Sequence, residues 1–486
     1  MHYLHVMTQK MLRRFQAAFT SISFLFRCAT GFSTMFFISP LLHAQSADRP
    51  NIILIVADDL GYSDVGFNGC QDIPTPNIDR IASQGVRFDA GYVCFSVCSP
   101  SRAGMLTGRY PQRFGYERNV LYIPDDPGMG LSREEELFPA RLQQAGYRTT
   151  LLGKWHLGAH PELHPLKRGF SEWYGFLGGG HQFHPDSLRI KDPMQVNTEE
   201  GSYRTWMNRG LEPEKEAEYL TDALSREAVS FIERNSRQPF FLYLAYNAPH
   251  TPLQATADRL EKFKQIPDKQ RRTYAAMVSA VDDGVGRVLE TLDKLELDSN
   301  TMVIFLSDNG GPLHHNGSRN GDLRGMKGTL FEGGIRVPFA IRWPGRIPAG
   351  SQFTKPVSSL DIAATVAGQI AGQPGPKYPL DGTDLIPFLT GKSKGAPHKY
   401  LFWRHFDQKS YVVLSGDHRK LLKRGDSTYL FNLAEDRRET IDLADKERRL
   451  LKKLNRERLK WDAQLKPPAF LGLSQRDEYM RTRQRK

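Results

Sequence analysis

Asn51-Ile52-Ile53-Leu54-Ile55-Val56-Ala57-Asp58-Asp59 decides the fold. An apolar, β-branched run with no polar alternation reads as a strand covered on both faces, the habit of parallel sheets. Its abrupt passage into two carboxylates marks the carboxyl end of the strand, where open α/β sheets gather their ligands. Similar runs recur at Arg148 to Leu152, Phe240 to Tyr246, Thr301 to Ser307 and Ile335 to Ile341. Helical patterns lie between several of them. One starts at Thr75-Pro76, a capping residue followed by proline at the first helical position, and stops at Gly85. Another runs from Arg272 to Leu295 with Ala276, Val281, Val285 and Leu289 at helical spacing. Alternating strands and helices predict a layered α/β domain.

From residue 396 the pattern changes to short strand-like pieces, Tyr400 to Trp403, Tyr411 to Leu414 and Thr428 to Phe431, separated by turn residues. They predict a small antiparallel sheet. A helix from Asp445 to Leu465 follows, with Leu450, Leu454, Trp461 and Leu465 on one apolar stripe suited to packing. The expected organisation is therefore a catalytic domain over 45–395 and a C-terminal subdomain over 396–486, with a basic helix and tail.

Residues 1–44 fall outside that fold. Lys10, Arg13, Arg14 and Arg27 precede an apolar run from Gly31 to Leu42, and Leu42-His43-Ala44 ends on a small residue, the pattern of an export signal peptide. An apolar run of about a dozen residues is shorter than the roughly 20 a membrane-spanning helix needs, so no stable membrane insertion is expected after cleavage. The expected location is exported, periplasmic or extracellular. Setting the segment aside lowers the formal charge from +12 to +8. Residues 445–466 and 476–486 contribute +5 and +3, leaving a nearly neutral body. A solvated helix face and frayed tail account for that basic end, and no nucleic-acid partner is expected. Beyond Cys28 in the signal, three cysteines remain, Cys70, Cys94 and Cys98. An odd count in an oxidising compartment points to one thiol with other work, the other two being either a disulfide or two free buried thiols.

A second strand also ends in hard oxygen ligands, since Met302 to Ser307 runs into Asp308-Asn309. Three carboxylates and an amide suit Ca²⁺ or Mg²⁺ rather than a soft metal. The sharpest local signal is Cys98-Ser99-Pro100-Ser101-Arg102-Ala103-Gly104-Met105-Leu106-Thr107-Gly108. It resembles the signature of the formylglycine-dependent sulfatases, in which a cysteine in a Cys-x-Pro-x-Arg context is oxidised to Cα-formylglycine. Other motifs follow in that family's order: Gly153-Lys154-Trp155-His156-Leu157-Gly158, Ala248-Pro249-His250-Thr251-Pro252, and Arg324-Gly325-Met326-Lys327 before Glu332-Gly333-Gly334-Ile335-Arg336-Val337-Pro338.

The resemblance covers Asn51 to about Asp445 and is closest to arylsulfatases and N-acetylhexosamine-6-sulfatases of the alkaline-phosphatase-like superfamily. It implies a large mixed, mostly parallel sheet flanked by helices, with a smaller C-terminal antiparallel sheet plus helix. It also implies a sulfuric ester hydrolase acting on a sulfated carbohydrate, matured by a formylglycine-generating enzyme and holding one Ca²⁺ (or Mg²⁺) per chain. Asp58, Asp59, Asp308, Asn309 and Cys98 as formylglycine would bind the metal. An oxygen of the hydrated aldehyde at position 98 would attack sulfur, with Arg102 positioning it and Lys154, His250 and Lys327 gripping the sulfate. His156 would accept the proton of the second step. His181 and His184 follow a glycine-rich turn near a further polar contact of the family but are not assigned to it. A phosphate or phosphonate ester hydrolase is the alternative within the superfamily, with His314-His315 as a candidate second-metal pair. A non-catalytic binder of sulfated glycans is the other. Asp308→Ala is expected to abolish turnover with little loss of folding, because it removes a ligand and no core volume.

Overall fold

A computed structural model describes residues 49–185, 207–370 and 375–484; the export segment expected over 1–44 lies outside them. The strands that position the site are β1 (Asn51–Ala57), β2 (Arg148–Lys154), β3 (Phe240–Ala245), β4 (Thr301–Ser307) and β5 (Phe339–Arg342). They form the middle of a ten-stranded sheet in the spatial order β5-β4-β1-β3-β2. β1 runs parallel to β3 and β4, β2 parallel to β3, and β5 antiparallel to β4, so the sheet is mixed and mostly parallel at its centre.

The period of two along β1 explains its continuous apolar run. Ile52, Leu54 and Val56 enter one core layer, while Ile53, Ile55 and Ala57 enter the other. Helices α1 (Pro76–Ser83), α2 (Cys98–Thr107), α3 (Leu220–Asn235) and α4 (Lys269–Lys294) supply these layers, with α2 on the first face and α1, α3 and α4 on the second. From Ile52 to Ala57 the strand carries no polar side chain, because both faces are covered.

The C-terminal strands β6 (Tyr400–His405), β7 (Ser410–Ser415), β8 (Arg419–Arg424) and β9 (Ser427–Asn432) form an antiparallel meander. Helix α5 (Arg448–Asp462) covers it. Leu454 packs on Val413, Leu421 and Leu430, and Trp461 stacks on Phe402 with ring centroids 5.1 Å apart. The stripe on α5 is thus a packing surface.

Two segments differ from the sequence expectation. The run Ile335 to Ile341 is not one strand: Glu332–Ile335 is a helical turn and the strand begins only at Phe339. β8, Arg419-Lys420-Leu421-Leu422-Lys423-Arg424, has no counterpart among the expected strands, because its charged residues mask a strand buried on both faces at Lys420, Leu421 and Leu422. Cys70 and Cys94 are free thiols, Cys94 buried and Cys70 half-buried.

Candidate active site

Strand register brings the two acidic clusters together. Ala57 pairs with Ser307 across parallel strands, so Asp58 and Asp308 emerge side by side, and the Asp308 amide donates to the Ala57 carbonyl at 3.1 Å. Gly153 pairs with Ala245 in the next two strands, which delivers Lys154 and the His250 segment to the same edge. A Cβ at Gly153 would lie 2.1 Å from the Ala245 carbonyl oxygen, and its φ is +106°, so only glycine fits. Asp59 (φ 67°) and His156 (φ 56°) are left-handed non-glycine residues directly after these strands. Such backbone costs about 1–2 kcal/mol per residue. Burying one strand side chain contributes about 1.5–3 kcal/mol, so the sheet holds both residues in place.

Cys98 is the first residue of α2, a helix buried along its whole length. Val97 is extended before it, Pro100 is tolerated in the first turn, and Gly108 ends the helix with φ 68° and an amide bond to the Gly104 carbonyl at 2.8 Å. Position 98 therefore sits at the positive end of a helix dipole. Its Sγ lies 3.6 Å from Asp58 Oδ1. Burial pushes the Cys98 thiol up to about 12 despite the nearby Lys154 and Lys327 ammonium groups.

Three cations face three carboxylates. Lys154 Nζ lies 2.5 Å from Asp58 Oδ2, and Lys327 Nζ lies 2.7 Å from Asp59 Oδ1. Arg102 donates from Nε to Asp308 Oδ2 at 2.9 Å, with Nη2 2.8 Å from the same oxygen and 3.8 Å from Asp58 Oδ2. Burial alone would raise the Asp59 carboxyl, but Lys327 and His250, with hydrogen bonds from Lys327 and Asn309, hold it well below the usual range. Burial, reinforced by Asp58, pushes the Asp308 carboxyl up against the pull of Arg102.

The histidines are kept neutral. Burial lowers His250 to about 4, with the pull of Asp59 opposed by Lys327 and Lys154. Its Nε2 is 3.6 Å from Asp59 Oδ2, and its Nδ1 lies 2.7 Å from the Thr251 carbonyl oxygen. Burial, then Lys154 and Arg102, push His156 well below its ordinary value.

The donor set fits a divalent cation, with a difference from the expected ligands. Asp58, Asp59, Cys98 and His250 have ligand atoms within 4.8 Å of one another. Asp308 Oδ2 is turned to Arg102, and Asn309 Nδ2 donates to Asp59 Oδ1 at 2.7 Å. Asn309 Oδ1, however, is a buried acceptor with no hydrogen-bond partner. A buried acceptor left open beside three carboxylates is what an oxygen-preferring cation would satisfy.

Sequence reasoning missed Tyr243, whose hydroxyl accepts from Arg102 Nη1 at 3.3 Å; a phenol in an otherwise apolar buried strand was the available signal. His181 is buried with its ring tilted against Phe176 at 5.0 Å, and His184 Nε2 lies 3.2 Å from the Ala255 carbonyl oxygen. His314 and His315 are exposed on a short turn. A small recess beside His156 is lined by Val120, Tyr122, Gly158, Leu177, Gly179 and Leu473.

With this geometry in hand, comparison with known proteins is decisive: the sulfatase family model matches residues 50–372. The chain belongs to the sulfatase family. It is therefore a sulfuric ester hydrolase. A second model, the C-terminal region of N-sulphoglucosamine sulphohydrolase, matches residues 326–462. The N-acetylgalactosamine-6-sulfatase of Canis lupus familiaris is 37% identical over 384 residues, covering 75% of this chain and 70% of that protein. The human steryl-sulfatase is 34% identical, covering 74% and 73%. The crystal structure of Ps i-CgsB in complex with k-i-k-neocarrahexaose matches with TM-score 0.82 and 40% identity, covering 89% of this sulfatase and 97% of that chain. A phosphonate monoester hydrolase of Agrobacterium radiobacter, at 21% identity and TM-score 0.60, shares the fold alone. Among the described residues of the sulfatase, no helix is long and apolar enough to cross a membrane.

Proposed function

We propose that this sulfatase releases sulfate from a sulfated carbohydrate with Cys98, oxidised to formylglycine by a formylglycine-generating enzyme, as the nucleophile-bearing residue. The observation that carries the reading is the convergence of Cys98, on a buried helix N-terminus, with Asp58, Asp59 and His250. A thiol pushed up to about 12 is protonated at neutral pH, so unmodified Cys98 is a poor nucleophile there. Formylglycine would supply, as its hydrate, one hydroxyl able to attack sulfur and a second whose loss of a proton expels sulfate and restores the aldehyde. One Ca²⁺, with Mg²⁺ as the alternative, would be held by Asp58, Asp59, Asp308, Asn309 and position 98, and supplies Lewis-acid charge for the sulfate oxygens.

The chain's own residues do the rest. Lys154 and Lys327 pair with Asp58 and Asp59. With those carboxylates engaged by the cation, both ammonium groups would be free to grip sulfate oxygens. Arg102, locked by Asp308 and Tyr243, fixes the start of α2 and the charge beneath position 98. Lys327 carries a proton it could pass to the departing alcohol, His250 could do so only once protonated, and neutral His156 is able to take one from position 98. A carbohydrate is favoured by the neocarrahexaose bound to Ps i-CgsB and by the N-acetylgalactosamine-6-sulfatase relatives. An exported location, periplasmic or extracellular, fits such a substrate.

The test is mass spectrometry of the peptide containing position 98, from protein made with the maturation enzyme, together with sulfate release from a panel of carrageenan and glycosaminoglycan oligosaccharides. A mass about 18 Da lower at that residue is expected. An active hydrolase carrying an unaltered thiol overturns the reading.

A further inference from the structure

The segment Glu332-Gly333-Gly334 follows the Lys327 loop in sequence and lies at the junction with the C-terminal sheet. Lys420, in β8, is fully buried, and its Nζ lies 2.9 Å from Glu332 Oε1 and 2.8 Å from Glu439 Oε1. Glu332 Oε2 accepts from the Tyr92 hydroxyl at 2.8 Å and lies 3.4 Å from Arg336 Nη1. Two carboxylates and two cations make a neutral cluster enclosed by protein.

We propose that Lys420 and Glu439 are positioning residues for sulfate-ester cleavage, acting through Glu332 to set the place of Lys327. The proposal rests on the reading of Lys327 as a sulfate-gripping residue. Glu439 Oε2 accepts from the Glu332 amide at 2.8 Å, and the Glu439 carbonyl accepts from Arg324 Nη1 at 3.0 Å, so one residue holds both ends of the loop that carries Lys327. Within that loop the Gly333 amide donates to the Arg324 carbonyl at 2.7 Å. Asn320 Nδ2 ties the Gly333 and Gly311 carbonyls at 2.9 and 3.0 Å, and the Lys327 amide donates to Gly311 at 3.3 Å. A Cβ on Gly310 would lie 1.9 Å from the Gly333 carbonyl oxygen, which leaves no slack between the turn and the metal-side loop.

The Asp308–Asn309 side has anchors of its own in the β1–β4 register and in Arg102. The position of Lys327 depends on the turn. Enclosed charge clusters seldom stabilise more than well-packed apolar residues of the same size, whereas their directional bonds fix geometry.

The test is a double-mutant cycle on the full-length, matured enzyme with an aryl sulfate reporter, reading kcat and KM. Lys420→Met is expected to lower kcat/KM roughly 10- to 100-fold. In a Lys327→Ala background the same change should cost less than about threefold, because the residue it positions is gone. Leu421→Ala, on the opposite face of β8 under α5, weakens the sheet without touching the cluster and should retain kcat/KM. If Lys420→Met fails to fold, K420M/E439Q, which removes one charge of each sign, carries the same cycle. Unchanged kinetics, losses that add in the Lys327→Ala background, or an equal loss in Leu421→Ala overturn the positioning role. Wild-type turnover by Lys327→Ala overturns the reading of Lys327 itself, and the positioning role with it.

Discussion

Replacing Asp308 with alanine strips Arg102 of its closest counter-charge. The guanidinium is fully buried, donates from Nε to Asp308 Oδ2 with Nη2 2.8 Å from the same oxygen, and has as its next carboxylate Asp58 at 3.8 Å. Breaking a buried ion pair from one side costs about 3–5 kcal/mol, and the remaining Asp58 places this case near the lower end, about 3 kcal/mol. The structure therefore corrects the expectation from sequence that this variant folds almost as well as the parent. Asp308→Asn, which keeps an acceptor but loses the charge, should cost less, about 1.5–3 kcal/mol. The double variant D308A/R102M should recover part of the loss, because no uncompensated charge is left. Urea unfolding followed by circular dichroism reads these differences, and sulfate release reads activity in parallel. All three variants should be inactive. Wild-type stability in Asp308→Ala would refute the buried-pair reasoning, and wild-type turnover would remove Asp308 from the site.

Two further outcomes are expected. Chelation of divalent ions should abolish sulfate release while leaving the protein folded, since Arg102, Lys154 and Lys327 pair directly with Asp308, Asp58 and Asp59; turnover that survives chelation, checked by elemental analysis, would refute this. Burial lowers His164 to about 4 from 6.5, so its contribution to stability is complete above pH 6.5 and is lost as pH falls toward 4. His164→Asn keeps an acceptor for the Leu166 amide, now 3.3 Å from His164 Nδ1, and should flatten the change in unfolding midpoint between pH 7 and 4; an unchanged slope would sink the assignment.

The centre of the fold could be read from the chain because β1 and β4 are buried on both faces, leaving their sequences almost purely apolar until the acidic residues appear. Parallel register then does what spacing cannot: 250 residues separate Asp58 from Asp308, yet the Ala57–Ser307 pairing makes them neighbours. Less was legible where charge is buried. β8 reads as a solvent-facing basic segment, since nothing local to Lys420 announces that Glu332 and Glu439 will meet it. The same blindness hid Tyr243, whose partner Arg102 comes from another element, and the grip of Arg102 on Asp308. The strand expected over Ile335 to Ile341 begins only at Phe339 because Ile335 and Val337 are apolar without belonging to it, while the glycines before them are set by close backbone approach: a Cβ on Gly333 would meet the Gly325 carbonyl oxygen at 2.3 Å.

Cys98 has no accessible surface, and the whole of α2 is buried with it. On the proposed function, the protein that oxidises this side chain would reach it before the helix is packed beneath the sheet. A chain that closed first would keep its thiol, so the yield of active enzyme would follow the order of those two events rather than the stability of the finished molecule.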